Sequence, residues 1–208
     1  MRLTLASASP RRLELLQRIG ISPEVLAADI DESMLPGESP SEYVMRVAFD
    51  KAHRVRNLIA EAKADRAVDS IVIAADTAVV NVGQILGKPL DRSDAVATLE
   101  SLSGRTHEVL TAVVVIDLEN VEQSVLARAA VTFATISRQE IEWYVSSGEP
   151  MDKAGSYALQ GLGGVLVERI DGDPTAVIGL PLRDTVDLLR SAGLRWPNRT
   201  DGVADEAG

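Results

Sequence analysis

Two arginines stand where the first turn of a helix ordinarily carries acids. In "SASPRRLELL", residues 7–16, Ser9 reads as an N-cap and Pro10 fits the first helical position, while Leu13, Leu16 and Ile19 repeat at helical spacing. Arg11 and Arg12 then fall at the positive end of the helix macrodipole, where a cation costs roughly 0.3–1 kcal/mol. A hydrogen bond to a charged partner is worth about 1.5–3 kcal/mol, so an anion bound at this turn would reverse the sign. It would accept from free backbone N–H groups, from Ser7 or Ser9, and from the guanidinium forks. The alternative is that both arginines point into solvent.

Other side chains suit the same chemistry. Asp76 interrupts the apolar run "IVIAADTAVV", where an unpaired carboxylate is costly to bury. It reads either as a carboxylate hydrogen-bonded at a strand end or as a cleft-edge group that binds Mg²⁺ or acts as a base. A phosphatase with an Asp nucleophile is excluded, because D-x-D-x-T would need Asp where Ala78 stands. Lys51 falls on the apolar stripe of a long helix, either snorkelling or facing a phosphate. Lys88 in "GKP" and Lys153 in "DKAG" sit beside glycines, where backbone approaches a ligand closely. The acids Asp31, Glu32 and Glu38 read as a solvated loop unless that loop folds over Asp76 and supplies a second metal ligand. Phosphate-loop, nucleophile-elbow and dinucleotide-binding motifs are all missing, which removes support for kinase, serine hydrolase and Rossmann readings.

The elements that must position these groups alternate. Strand 2–6 leads into helix 10–19, an extended piece near 23–27, the acidic loop "DIDESMLPGESP" and a helix at about 40–62. A buried strand 70–80, the turn "NVGQ" and a helix 93–103 ending at Gly104 follow. Runs 106–117 and 121–136 suggest an antiparallel hairpin, and Ser137 with Glu140 forms a capping box for helix 138–147. "GGVLVERIDGDPTAVIG" reads as a second hairpin turning at "DGDP", before a helix 181–192. The expected class is α/β or mixed α+β, with one two-lobed domain over 1–195 and a disordered tail over 196–208.

Composition sets the outer bounds. The chain has 208 residues, 46% of them apolar but only 3% aromatic, so the core is aliphatic. The absence of cysteine removes disulfides, zinc–thiolate sites and thiol nucleophiles, and two histidines cannot build a histidine-rich metal site. A net charge of −10 argues against a nucleic-acid polymer or an acidic membrane as partner. It leaves room for a small anion met by local cations or a divalent metal. "MRLTLA" enters a strand at once and apolar runs are far short of a span, so no signal peptide or membrane segment is expected and the cytoplasm is the default.

In order along the chain, "LASASPRRLELL", "DIDE", "AFDKA", "AADTAVV", "LGKP", "LSGRTHEVLTAV", "SGEPMDKAGSYALQG" and "VIGLPL" resemble the Maf (septum-formation) family, from about residue 3 to 190. The resemblance implies a two-lobed mixed sheet with flanking helices and a central cleft, similar to inosine triphosphate pyrophosphatases, and a homodimer. It implies cleavage of a nucleoside triphosphate between the α and β phosphates, with Mg²⁺ or Mn²⁺. The family's proton acceptor falls on Asp76, and positions linked to base selection fall on Arg11, Thr77 and Gln160. "SPRR" and "EPMDKAGSYALQG" look most like the branch acting on dTTP and UTP, and family members are associated with restraint of cell division.

On this reading Asp76, helped by Glu32, holds the metal or takes a proton from the attacking water. Arg11, Arg12, Lys51, Lys88 and Lys153 neutralise the triphosphate, Ser7 and Ser9 add neutral donors, and Thr77 and Gln160 read the base. The rivals are a non-catalytic nucleotide-binding regulator of septum formation and a phosphomonoesterase. The stretch 61–69 and the tail depart from the family pattern.

Overall fold

The computed structural model describes residues 2–62 and 70–197. Of the stretch 61–69, residues 63 to 69 lie outside the described residues, as does the tail from 198 onward. A seven-stranded mixed sheet organises the rest. β1 (Arg2–Leu5) pairs in parallel with β2 (Glu24–Val25) on one side and β3 (Ser70–Asn81) on the other. β4 (Gln84–Leu86) folds back on the end of β3. From there the sheet is antiparallel, running from β3 through β5 (Thr106–Ile116) and β6 (Glu122–Phe133) to β7 (Val167–Asp171).

Strand alternation decides what each face of β3 meets. Ile71, Ile73 and Ala75 pack with Leu15 and Leu16 of α1 (Pro10–Arg18) and with Leu189 near the chain's end. Val72, Ala74 and Ala78 point the other way, against Val44, Ala48, Ala52 and Val55 of α2 (Pro40–Ala62). Further along the same strands, α3 (Arg92–Leu102) and α4 (Arg138–Ser146) cover a third cluster around Leu99, Phe133 and Ile141. The core thus falls into three clusters. Among the described residues no helix is long and apolar enough to cross a membrane.

Most expected elements are present within a few residues of their expected ends, including the capping box of α4. The second hairpin is not. "GGVL" lies in a 3₁₀ turn, Leu162–Leu166, and β7 takes β6 as its partner through Val167 and Phe133. After "DGDP" the chain forms α5 (Pro174–Ile178), because the Asp173 carboxylate accepts from Thr175 N at 2.7 Å and Pro174 occupies the first turn. Asp-Pro is a helix start as readily as a turn, and the helix reading wins here. α6 (Leu182–Ser191) follows.

Trp196, assigned to the tail by sequence, is anchored instead. Its indole N–H donates to the Ile19 carbonyl at 2.7 Å, and the Arg190 guanidinium lies 5.2 Å above its ring.

Candidate active site

A gap in the sheet opens the cleft. β1 pairs with β3 only as far as Ile73, and β4 takes up the same edge of β3 from Val79 onward. Between them the edge carrying Asp76 and Thr77 is free, and the chain leaving β1 at Ala6 turns over it into α1. The eleven residues to which the sequence reading gave a role line one cleft of about 340 Å³ at this gap: Ser7, Ser9, Arg11, Arg12, Glu32, Lys51, Asp76, Thr77, Lys88, Lys153 and Gln160.

The paired arginines separate. Arg11 stays partly exposed at the rim, whereas Arg12 is 8% exposed and turns inward. Its Nε donates to the Gly179 carbonyl at 2.9 Å, and its two terminal nitrogens donate to Ser7 Oγ and Thr77 Oγ1, each at 3.1 Å. One guanidinium thus ties the β1–α1 turn to β3 and to the loop after α5. Burial lowers the Arg12 pKa from its usual value, with Asp76 acting against the shift. Ser9 holds the N-cap position of α1, but its side chain makes no capping bond, contrary to expectation. With no acid in that first turn either, the helix N–H groups keep their capacity for an anion.

Opposite stands a compact ion cluster. Lys51 is 7% exposed, and its ammonium lies 2.8 Å from Asp76 Oδ1 and 2.9 Å from Glu32 Oε1. Of the two alternatives for Lys51, snorkelling to solvent does not hold: the stem runs along the buried stripe of α2 and the charge ends on two carboxylates. Arg56, also on α2, fixes this register by donating to the carbonyls of Ser70 and Ile116 at 3.0 and 3.1 Å. Burial pushes the Asp76 carboxyl above the usual aspartate value, and Lys51 and Arg12 offset only part of that shift.

The acidic loop does fold over Asp76, but its three acids divide. Glu32 alone reaches Lys51. Glu38 binds Arg46 at 2.6 Å, and Asp31 accepts from Ser33 N at 2.8 Å. These two shape the loop. Tyr43 donates to the Glu32 carbonyl at 3.1 Å, and burial pushes its own pKa up to about 12, so the phenol keeps its proton. Because Asp76 and Glu32 reach one ammonium, they can also converge on one cation. Among the described residues no group of three or more His, Cys, Asp or Glu could hold a metal. Two carboxylates completed by ligand oxygens and water suit Mg²⁺.

The remaining wall carries Lys88, Lys153 and Gln160. Gly155 N donates to the Gly87 carbonyl at 3.1 Å, stitching the two lysine loops together. A Cβ at Gly155 would meet Val79 at 2.7 Å, and φ there is +68°, so this close approach requires glycine. Lys153 is paired with the neighbouring Asp152, which the sequence reading missed. Tyr157 bonds His107 Nε2 at 2.9 Å, and burial holds that imidazole down at about 4, hence neutral.

Glu149, within "SGEPMDKAGSYALQG", is a working residue that the sequence reading misses. Its carboxylate accepts from Tyr144 Oη at 2.8 Å, Leu162 N at 2.9 Å and Gly163 N at 3.0 Å, clamping the segment that presents Gln160. Burial opposes its charge, but the Gly163 and Leu162 N–H groups and the Tyr144 hydroxyl hold its pKa below the usual glutamate value. Glu149→Gln sets an amide NH₂ against a donor and is expected to cost about 1–3 kcal/mol at neutral pH. A depressed carboxylate stabilises above its unfolded pKa and loses that contribution as pH falls through the folded one. The deficit in denaturant unfolding should therefore shrink toward acid pH.

A mixed α/β sheet whose gap gathers arginines, lysines, hydroxyls and two carboxylates defines a protein with a cleft suited to a polyanion. The chain belongs to the Maf-like protein family, which matches residues 2–192. It is 49% identical over 199 residues to the dTTP/UTP pyrophosphatase of Anaeromyxobacter dehalogenans (strain 2CP-1 / ATCC BAA-258), covering 94% of this chain and 96% of that protein. It is 48% identical over 197 residues to the dTTP/UTP pyrophosphatase of Myxococcus xanthus (strain DK1622), covering 95% of each. A solved nucleoside-triphosphatase / dITP/XTP pyrophosphatase from Mycobacterium abscessus aligns at 16% identity with a TM-score of 0.40, over 91% of this chain and 95% of that one. Nothing further follows from a score that low.

Proposed function

We propose that this protein hydrolyses dTTP and UTP between the α and β phosphates, releasing the nucleoside monophosphate and pyrophosphate. The observation that carries this reading is the meeting of Arg11, Arg12, Lys51, Lys88 and Lys153 with Asp76 and Glu32 on one cleft. The names of the relatives point to the same substrates.

Asp76 and Glu32 are the residues that would hold Mg²⁺ or Mn²⁺, which when bound would neutralise phosphate charge and lower the pKa of a coordinated water. Asp76, its pKa raised by burial, is a stronger base than an ordinary aspartate and takes the proton of the attacking water. Lys51 favours the charged form of Asp76 against burial and faces the phosphates. Ser7 Oγ, the N–H groups at the start of α1, and Arg11 stabilise the negative charge that builds as pyrophosphate leaves. Lys88 and Lys153 close the far side, while Thr77 and Gln160 contact the base. The reading extends to a homodimer in the cytoplasm.

A panel of nucleoside triphosphates with Mg²⁺ or Mn²⁺, with the phosphate product identified, tests the function. Pyrophosphate from dTTP and UTP is expected. Orthophosphate would instead indicate a phosphomonoesterase, and binding without turnover a nucleotide-dependent regulator.

A further inference from the structure

Arg12 holds two hydroxyls of opposite polarity. A guanidinium only donates and a carbonyl only accepts, so the bond directions around it follow from chemistry alone. Ser7 Oγ accepts from Ser9 N and from Arg12, each at 3.1 Å. Both its lone pairs are engaged and its proton is left for the cleft. Thr111, fully buried in β5, donates its single proton to the Ala176 carbonyl at 2.8 Å. Its oxygen lies 3.0 Å from Thr77 Oγ1 and can only accept there, so Thr77 gives its own proton to Thr111. Thr77 also accepts from Arg12 at 3.1 Å. What remains for the cleft is one lone pair and no proton.

We propose that Thr111 is a positioning residue that makes Thr77 an acceptor-only contact, and that this polarity selects bases carrying a ring N–H. The inference rests on the proposed contact between Thr77 and the base. Uracil and thymine bear a proton on N3, which Thr77 can accept. Cytosine bears a lone pair on N3, and two facing lone pairs repel while each loses its water. An acceptor-only hydroxyl is equally unsuited to phosphate oxygens, which the donor-only Ser7 serves. The two hydroxyls thus divide one nucleotide between them.

The test is calorimetric binding of the non-hydrolysable α,β-methylene analogues of UTP and CTP to the full chain with Mg²⁺. Wild type prefers the uracil analogue. Thr111→Val releases the Thr77 proton, and the preference falls by about tenfold, mainly through tighter binding of the cytosine analogue. Thr111→Ser keeps the hydroxyl and restores the preference. Thr77→Val removes the lone pair itself and abolishes the preference, whether or not valine is tolerated at 111.

Equal weakening of both analogues by Thr111→Val, an unchanged ratio, a serine variant as relaxed as the valine one, or a wild type without preference each overturns the inference. Pyrophosphate release from UTP by the same preparations reports separately on hydrolysis. A protein that binds with this preference but releases no pyrophosphate loses the hydrolytic reading and keeps the polarity of Thr77.

Discussion

Asp76→Asn should lower pyrophosphate release from UTP by about 10³-fold at neutral pH, within the range general base catalysis supplies. The amide keeps the shape and the contact with Lys51 but cannot take a proton. The fold should survive, because Asp76 is a stability cost when ionised. A carboxyl whose folded pKa is raised favours the folded state below its unfolded pKa, and that contribution is lost as pH rises through the folded pKa. Replacing it with a neutral group removes this cost at neutral pH, and Lys51 retains Glu32 as its counter-ion. Steady-state rates with a thermal melt check both halves. Near-normal turnover by a folded Asn variant would eliminate Asp76 as the base.

Lys51→Met should carry the second large effect, with a distinctive pH signature. Methionine fits the apolar stripe of α2, so packing is nearly kept while the ammonium is lost. Removing one partner of a buried ion pair typically costs about 3–5 kcal/mol, because the other charge is stranded. Here the stranded group is Asp76, 6% exposed, and Lys51 is the strongest influence opposing its upward shift. In the variant the Asp76 pKa rises further. The stability deficit should be largest at neutral pH and fade toward acid, where Asp76 takes a proton in the folded state. The acid limb of the rate profile should move to higher pH for the same reason. A deficit equal at neutral and acid pH would assign the loss to packing alone and return Lys51 to a structural role.

The two carboxylate variants of the base and the clamp also differ in sign, which makes pH a useful discriminator. Asp76 is raised and Glu149 is lowered, both against a background of burial. The difference lies in depth and in neighbours: Asp76 is buried and accepts a hydrogen bond from the Lys51 ammonium, whereas Glu149 is half-buried and meets three hydrogen-bond donors, two of them backbone N–H groups. Donors aimed at a carboxylate can outweigh desolvation when they are numerous.

Residue types and their periodicity determined which chemistry was available and on which elements it sat. The helical stripe carrying Lys51, the Asp in a buried strand, the arginines after Pro10 and the capping box of α4 are all local patterns, set by neighbours within a turn or a strand pair. Only the tertiary structure decided their partners. Lys51 and Asp76 lie 25 residues apart in sequence, Arg12 and Gly179 lie 167 apart, and no short-range period relates them. The choice of Glu32 over Asp31 and Glu38 depended on how Arg46 and Tyr43 tether the loop. "PTAVIG" became a helix, although β7 at the sheet's edge left a side open to it, because Asp173 capped it and Ala176 was buried with its carbonyl on Thr111 of β5, a long-range contact that local propensity does not record.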